Sequence, residues 1–355
     1  MIKKALFNAA NLVGADSLFR RINKKKLLVI MYHGVTANNY DPPVWTQLPV
    51  ATFRDQLEFL LTEYVFVSLG DVVAAIRNDA QLPERAVLIT FDDGLKNNFT
   101  AAFPVLVELA LSAAIFLTVD YVESDEILWV DELFFLLLSA VRNKISVNLH
   151  DAVAGEYMKS GKPEEAYAIM VEKLKRSGVE TRTKIMEHLR ELVPLDLKAL
   201  REDFGMLGWS DIHTMQQSGL VEFGVHTATH RILAELTEDE WKKELFRPKQ
   251  TLENKLNREI ATFCYPNGRP GIDYRQEHVE YLRKVGYACA FITGRPLFDF
   301  LTEDSMEIGR VAGGNDATSE KSYFRLNASG ALKSIKNRFK KAIETQRTQS
   351  KALEL

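Results

Sequence analysis

The nonapeptide AVLITFDDG, residues 86–94, decides how the rest of the chain is read. Its first six residues are apolar or β-branched, the composition of a strand buried on both faces, as in parallel sheets. Two carboxylates, Asp92 and Asp93, follow at once, and Gly94 permits a sharp turn. The C-terminal ends of such strands are where βα folds build active sites. The same Asp-Asp-Gly read alone could equally be a turn that caps a helix.

Working outward, similar runs recur on both sides: KLLVIMY at 26–32, YVFVS at 64–68, AAIFLTV at 113–119, VEFGV at 221–225, IATFCY at 260–265, ACAFIT at 288–293 and EIGRVA at 307–312. Segments of helical period lie between them, and this alternation predicts βα units around a largely parallel sheet. The predicted fold class is α/β, a distorted (β/α) barrel of about seven or eight strands. Helix starts are expected after Thr52, after Ser68, and at Thr237, where Glu240 three residues on completes a capping box. Gly219 and Gly286 sit where helices should stop.

The rhythm fails between about Asp125 and Gly208. Apart from ISVNL at 145–149, that region holds only helix-period segments, among them ELFFLLLSAVRN and PEEAYAIMVEKLKR. The expected organisation is therefore a basic amphipathic segment at 1–25, a barrel at 26–124 and 209–315, a helical insertion at 125–208 that forms a lid or rim beside the cleft, and a basic C-terminal helix and tail at 316–355. The 355 residues would suit two domains at about 150 residues each, but one interrupted barrel accounts for them. Hydrophobic residues at 46% and charged residues at 26% exclude a disordered or fibrous chain.

His226 and His230, in VHTATH, also follow a strand, and their spacing lets both imidazoles meet one metal ion. One carboxylate and two imidazoles leave a coordination position open for water, as in catalytic zinc sites. The spare carboxylate can then act as a general base. Such a site suits hydrolysis of an amide or ester. Spacing alone does not say which aspartate takes which part.

TFDDG at 90–94, HTATH at 226–230, MYHGV at 31–35 and YPNG at 265–268, in this order and at strand ends, resemble the polysaccharide deacetylase family (NodB homology, carbohydrate esterase family 4). VGYACAFITG and EIGRVAGGND look like its closing strands, and members of an envelope-associated branch often carry an insertion near WVDEL. The resemblance implies metal-dependent removal of an N-acetyl group from an amino sugar. It implies Asp92 as catalytic base, Asp93, His226 and His230 as ligands of a divalent ion, zinc, and the backbone N–H of Tyr265 as an oxyanion donor. Where the family commonly carries an arginine two residues before the proline, this chain has Cys264, and Arg310 is the candidate substitute. The family's late histidine is missing, so the proton for the leaving amine would come from Asp92 or from His33, which is expected in the cleft.

His150, His188 and His213 are expected to be solvated or structural, and Cys264 and Cys289 to be core residues. Two cysteines fit a reducing compartment. The first residues lack the apolar core of a secretory signal. Charge is split along the chain. Residues 1–26 hold seven Lys/Arg against one acid and 331–355 hold seven against two, so the body carries a net −14. Ile2, Leu6, Ala9 and Val13 near one end, and Ile335, Phe339 and Ile343 near the other, recur at helical spacing among these bases. Such helices can rest on an anionic membrane or pack on the barrel. An acidic body disfavours nucleic acid.

The resulting expectation is an N-deacetylase acting on an N-acetylated glycan or lipid-linked amino sugar, cytoplasmic and at the inner face of the membrane. A sugar deformylase or other amide hydrolase on the same scaffold, and a catalytically inactive glycan-binding barrel, are the alternatives.

Overall fold

The computed structural model describes residues 2–314 and 316–334. Two helices, α1 (Ile2–Leu12) and α2 (Ala15–Ile22), precede strand β1 (Leu27–Tyr32). A short parallel pair, β2 (Gly34–Thr36) and β3 (Gln47–Pro49), is followed by α3 (Val50–Glu63), β4 (Val65–Phe66), α4 (Leu69–Ile76), β5 (Ala86–Phe91), α5 (Phe103–Leu109) and β6 (Ala113–Leu117). Five helices then run without a strand: α6 (Trp129–Arg142), α7 (Ala152–Lys159), α8 (Pro163–Arg176), α9 (Val179–Leu192) and α10 (Leu197–Phe204). Alternation resumes with α11 (Trp209–Gln217), β7 (Val221–Val225), α12 (Glu238–Trp241), α13 (Arg247–Leu256), β8 (Thr262–Cys264), α14 (Gln276–Lys284), β9 (Cys289–Thr293), β10 (Leu297–Phe298), β11 (Ile308–Ala312) and α15 (Lys321–Ala328).

Strands β1, β5, β6, β7, β8, β9 and β11 pair in parallel in that order, and β11 returns to β1, closing a distorted (β/α) barrel of seven strands. The run at 64–68, an eighth candidate, forms only β4, which pairs with the lower end of β5 at Val65↔Ala86 and Phe66↔Val87. The upper end of the same β5 edge is taken by β6, at Thr90↔Ala114 and Phe91↔Ile115, so no room is left for another stave. The helix expected after Thr52 starts three residues earlier, at Val50, while Ser68 and Thr237 cap their helices as expected.

Both faces of the staves are buried. Leu28, Ile30, Tyr32, Val87, Ile89 and Phe91 face the surrounding helices. Their alternates, Leu27, Val29, Leu88, Ala114, Phe116, Phe291 and Ile308, fill the barrel together with Val67, Leu69 and Val72 around the start of α4. Each fully buried side chain of this size contributes about 1.5–3 kcal/mol, so the strand runs are continuously apolar rather than alternating. Gly224 on β7 is needed for this filling, because a Cβ there would lie 2.6 Å from the Phe116 ring.

The insertion has its own core, in which Leu133, Leu136, Leu137 and Ala140 of α6 meet Ala166, Met170 and Leu174 of α8 and Leu189 of α9. A second cluster, Val44, Phe134, Phe135, Leu138 and Phe204, joins it to the barrel rim. The buried Asp203 carboxylate pins the end of α10 by accepting from Thr36 at 2.7 Å and from Asn38 at 2.9 Å.

At the N-terminus, Phe7, Ala10 and Phe19 pack toward Leu326, Ala331 and Tyr323. The face turned inward is therefore not the stripe that helical spacing singled out: Leu6 and Val13 are exposed, as are Leu12, Leu18 and Ile22. Arg20 is buried between Asp16 at 2.9 Å and Glu63 at 3.1 Å. The expected basic helix around Ile335, Phe339 and Ile343 lies outside the described residues. No described helix is long and apolar enough to cross a membrane.

Candidate active site

Strand parity decides which aspartate points where. Leu88 faces the barrel interior, and two steps of two along β5 place Asp92 on that same side above Thr90. Residue 310 shares the inward parity of Ile308 on β11. The Arg310 guanidinium accordingly meets Asp92 with two bonds, Nη1 to Oδ1 at 2.6 Å and Nη2 to Oδ2 at 2.8 Å. Cys264, from β8, lays its Sγ 3.5 Å from Asp92 Oδ1. An arginine 46 residues after Cys264, on another strand, thus lies against the same carboxylate that Cys264 approaches.

Burial opposes ionisation of Asp92, but the Arg310 charge beside it, with a smaller contribution from His226, holds the carboxyl well below the usual carboxylate range. It is ionised at any working pH.

Asp93 sits one residue further, with φ of 74°, followed by Gly94 at 83°. This left-handed turn, which aspartate tolerates better than most residues, swings its carboxylate away from the β5 direction. Oδ1 lies 3.5 Å from His226 Nε2 and 3.3 Å from His230 Nε2. His226 extends β7, and its Nδ1 is 2.8 Å from the Cys264 carbonyl oxygen. A carbonyl only accepts, so Nδ1 carries the proton and Nε2 presents a lone pair. Burial lowers the His226 pKa to about 4, despite the Asp92 charge that pulls the other way, so this imidazole is neutral.

Ligand atoms of Asp93, His226 and His230 all lie within 4.8 Å of one another. Asp93 Oδ1 is buried and accepts no hydrogen bond among the described residues. A buried carboxylate oxygen in that state is costly, and two imidazole nitrogens close to the same point make the group fit for a divalent ion.

The cavity that opens over these groups has a volume of about 370 Å³. His33 lines it, edge-on to Trp45 with ring centroids 4.8 Å apart. Tyr265 lines it too, but its backbone N–H donates to the Phe291 carbonyl at 3.1 Å. The oxyanion donor that the family resemblance assigned to it is therefore committed to the β8–β9 ladder. Its ring stacks on Tyr274 at 4.0 Å. The other histidines stand apart: His278 accepts from the Arg275 N–H at the start of α14, and His213 meets the Lys255 carbonyl.

Several lining residues had no sequence signal. Val130, Tyr167, Val171, Glu172 and Lys175 come from the insertion and roof the cavity, while Trp45 and Thr46 come from the loop before β3. Asp131, on α6, is buried and accepts from Thr46 Oγ1 at 3.1 Å. Burial, and then the negative charge of Asp93, push its carboxyl up to about 7, against weaker opposing effects of Thr46 and His230. In the sequence an acid in the first turn of a helix reads as ordinary N-terminal charge; only the family's WVDEL segment hinted at it.

Comparison with known proteins agrees with the fold. Over 93 residues the chain is 30% identical to YxkH of Bacillus subtilis (strain 168), named among the polysaccharide deacetylases, an alignment spanning 26% of this chain and 32% of that relative. Among solved structures it resembles the polysaccharide deacetylase BC0361 of Bacillus cereus (TM-score 0.54, 20% identity, 86% of this chain and 69% of that one). It also resembles the deacetylase PplD of Streptococcus pyogenes, determined with acetate (TM-score 0.54, 16% identity, 83% and 95%), and IcaB of Ammonifex degensii (TM-score 0.52, 18% identity, 86% and 98%). At these identities the likeness concerns the fold. The sequence model described as polysaccharide deacetylase matches residues 79–290, more than half of the chain and a span that includes Asp92, Asp93, His226, His230 and Tyr265, and the chain belongs to the polysaccharide deacetylase family.

Proposed function

We propose that the chain is a metal-dependent hydrolase that removes N-acetyl groups from amino sugars of a polysaccharide or lipid-linked glycan precursor. The observation that carries this reading is the convergence of Asp93, His226 and His230 beside an ionised Asp92 that Arg310 holds with two hydrogen bonds. Asp93, His226 and His230 would hold the ion, and their oxygen and nitrogen donors suit zinc. A divalent ion there polarises the amide carbonyl and acidifies water.

The chain's own residues handle the proton. Asp92 accepts it as water attacks the acetyl carbon, and the amide C–N bond breaks as the nitrogen is protonated. Arg310 fixes the direction of Asp92 and keeps it ionised, at the expense of basicity. His33, in the same cavity, is the second group able to deliver a proton to the departing amine. The test is acetate release from N-acetylglucosamine oligomers with and without chelator. Asp92→Asn is expected to lower kcat by about 10²- to 10⁴-fold with the metal retained. Release that ignores chelator, or ignores the substitution, sinks the mechanism; formate release from an N-formyl sugar at a higher rate would reassign the acyl group.

We infer further that α1 and α2 rest on an anionic membrane surface, which would put the protein at the inner face of a membrane. Leu12 and Val13 are 87% and 83% exposed, and Leu6, Leu18 and Ile22 are exposed with them, near the exposed Lys4, Arg21, Lys24 and Lys25. Apolar side chains interspersed with bases are the composition of interfacial helices. Flotation with vesicles containing anionic lipid is expected for the intact chain and lost on Leu12→Gln with Val13→Gln; equal recovery of both in the soluble fraction removes the idea.

A further inference from the structure

A second, narrower cavity of about 50 Å³ adjoins the catalytic one, with Val130, Lys175, His230 and Asn267 lining both. Its wall also carries Arg182, Arg231 and Trp129, against Glu235 as the one carboxylate among its described lining residues. Three cationic side chains thus meet in a partly closed space next to the proposed metal site, where like charges repel more strongly than in water.

Not all of these charges are satisfied. Arg231 is paired with Glu240, and Lys175 reaches Glu172 only at 3.5 Å. Arg182 has no carboxylate within ion-pair distance among the described residues; its guanidinium stacks on the Trp129 ring, 5.0 Å from the centroid. Burial lowers its hold on its proton, and the neighbouring Arg231 acts in the same direction. The side-chain nitrogen Nδ2 of Asn267, which lines the same cavity, is a buried donor with no partner among the described residues. The pocket is therefore provided with donors and short of acceptors.

Resting on the deacetylase reading above, we propose that this cavity is a subsite for a phosphoryl group carried by the amino-sugar substrate, bound by Arg182 with Lys175, Arg231 and Asn267. The chemistry fits in kind and in size. A guanidinium presents paired N–H donors that match phosphoryl oxygens. A cavity of about 50 Å³ holds on the order of four water-sized groups at about 10–15 Å³ each, which suits the oxygens of one phosphoryl group. Because His230 borders both cavities, the phosphoryl and the scissile amide would belong to the same or adjacent sugar residues. A monoester and a lipid-linked diester both present this group.

The test is calorimetric binding to the full-length, zinc-loaded Asp92→Asn protein, with three probes: methyl N-acetylglucosaminide, N-acetylglucosamine 1-phosphate, and an alkyl phosphodiester of the same sugar. At least one of the phosphorylated probes is expected to bind about tenfold or more tightly than the neutral one, the scale of one charged hydrogen bond, and the tighter of the two names the source. Arg182→Gln is expected to abolish that preference and Arg182→Lys to keep part of it, with zinc content unchanged in both. Equal binding of all three probes overturns the proposal, as does a preference that survives Arg182→Gln and Lys175→Gln alike. Acetate release from neutral oligomers without phosphoryl preference removes the subsite alone. Phosphoryl preference without release from any substrate keeps the subsite and removes the deacetylase reading.

Discussion

The barrel mouth and the helical roof over it present different kinds of residue to the same cleft. Asp92, Asp93, His226, Cys264 and Arg310 stand on or just after strands, where backbone pairing and alternation fix their directions. Lys175, Arg182, Tyr167 and Asp131 stand on helices whose positions depend on the packing of a separate hydrophobic cluster. The difference teaches where rigidity lies: the groups proposed to carry the chemistry are held by the sheet, and the groups proposed to read the substrate are held by a cap with its own core.

The largest expected effect tests whether the barrel alone holds the ion. Asp93→Asn, or His230→Ala, should leave the purified protein without stoichiometric zinc by elemental analysis and without measurable acetate release, while its far-ultraviolet dichroism is unchanged. A full complement of zinc in both variants would mean that the ligands lie elsewhere, in the roof among other places.

Arg310→Gln comes next. Breaking a buried pair by removing one partner costs about 3–5 kcal/mol, because Asp92 is left as an uncompensated buried charge. The wild-type carboxyl is held below its unfolded value, so the stability from this pair is present above the unfolded pKa of about 3.9 and is lost as pH falls through the folded value. In the variant, burial without the guanidinium lets Asp92 take up a proton at a higher pH than in the unfolded chain, so the deficit, read by urea unfolding, should be largest near pH 7.5 and shrink toward pH 4. The acid limb of kcat/KM should move to higher pH as well. A deficit that does not change with pH would show that Arg310 acts through packing.

In the roof, Leu137→Ala removes a fully buried side chain from the insertion core, at an expected cost of about 2–5 kcal/mol. If the two cores are as separate as their clusters indicate, limited proteolysis should open 129–204 first, with zinc still bound. Simultaneous loss of zinc would mean that the cap and barrel unfold as one unit.

Asp131→Asn gives the smallest effect and lies at the seam. Its carboxyl titrates near 7, raised from the ordinary value, so its folded form is fully favoured below the unfolded pKa and loses that advantage as pH rises through about 7. The amide resembles the protonated form. In chelator-treated protein the substitution should raise Tm at pH 8 by a few degrees and change it little at pH 5; a reversed pattern would place the ionised carboxylate in a favourable contact.

Much of the site was legible before folding because its residues are local to strand ends. TFDDG and HTATH bring their own turns, and the period of two along β5 carries Asp92 to the interior without reference to anything distant. Arg310 was legible only as a candidate, since its bond to Asp92 spans 218 positions and depends on closure of the barrel through β11 and β1. Whether the run at 64–68 adds an eighth stave, whether the Tyr265 N–H is free and which face of α1 turns inward were not legible for one reason: each depends on which neighbour takes a hydrogen-bonding edge or a packing face first. β6 displaces β4 along β5, Phe291 takes the Tyr265 N–H, and Phe7 with Ala10, rather than Leu6 with Val13, meets α15 and the residues after it.

By itself, then, the sequence determined the βα rhythm, the place where it is interrupted, and the acids and imidazoles at strand ends, because period, turn chemistry and residue type are local properties. Tertiary structure alone decided that Arg310 meets Asp92 beside Cys264, that Asp131 approaches Asp93, and that Arg182, beside a second cavity, has no carboxylate partner among the described residues. Those outcomes are set by the packing of helices and the closure of a barrel, where contact depends on three-dimensional proximity and leaves no periodic trace along the chain.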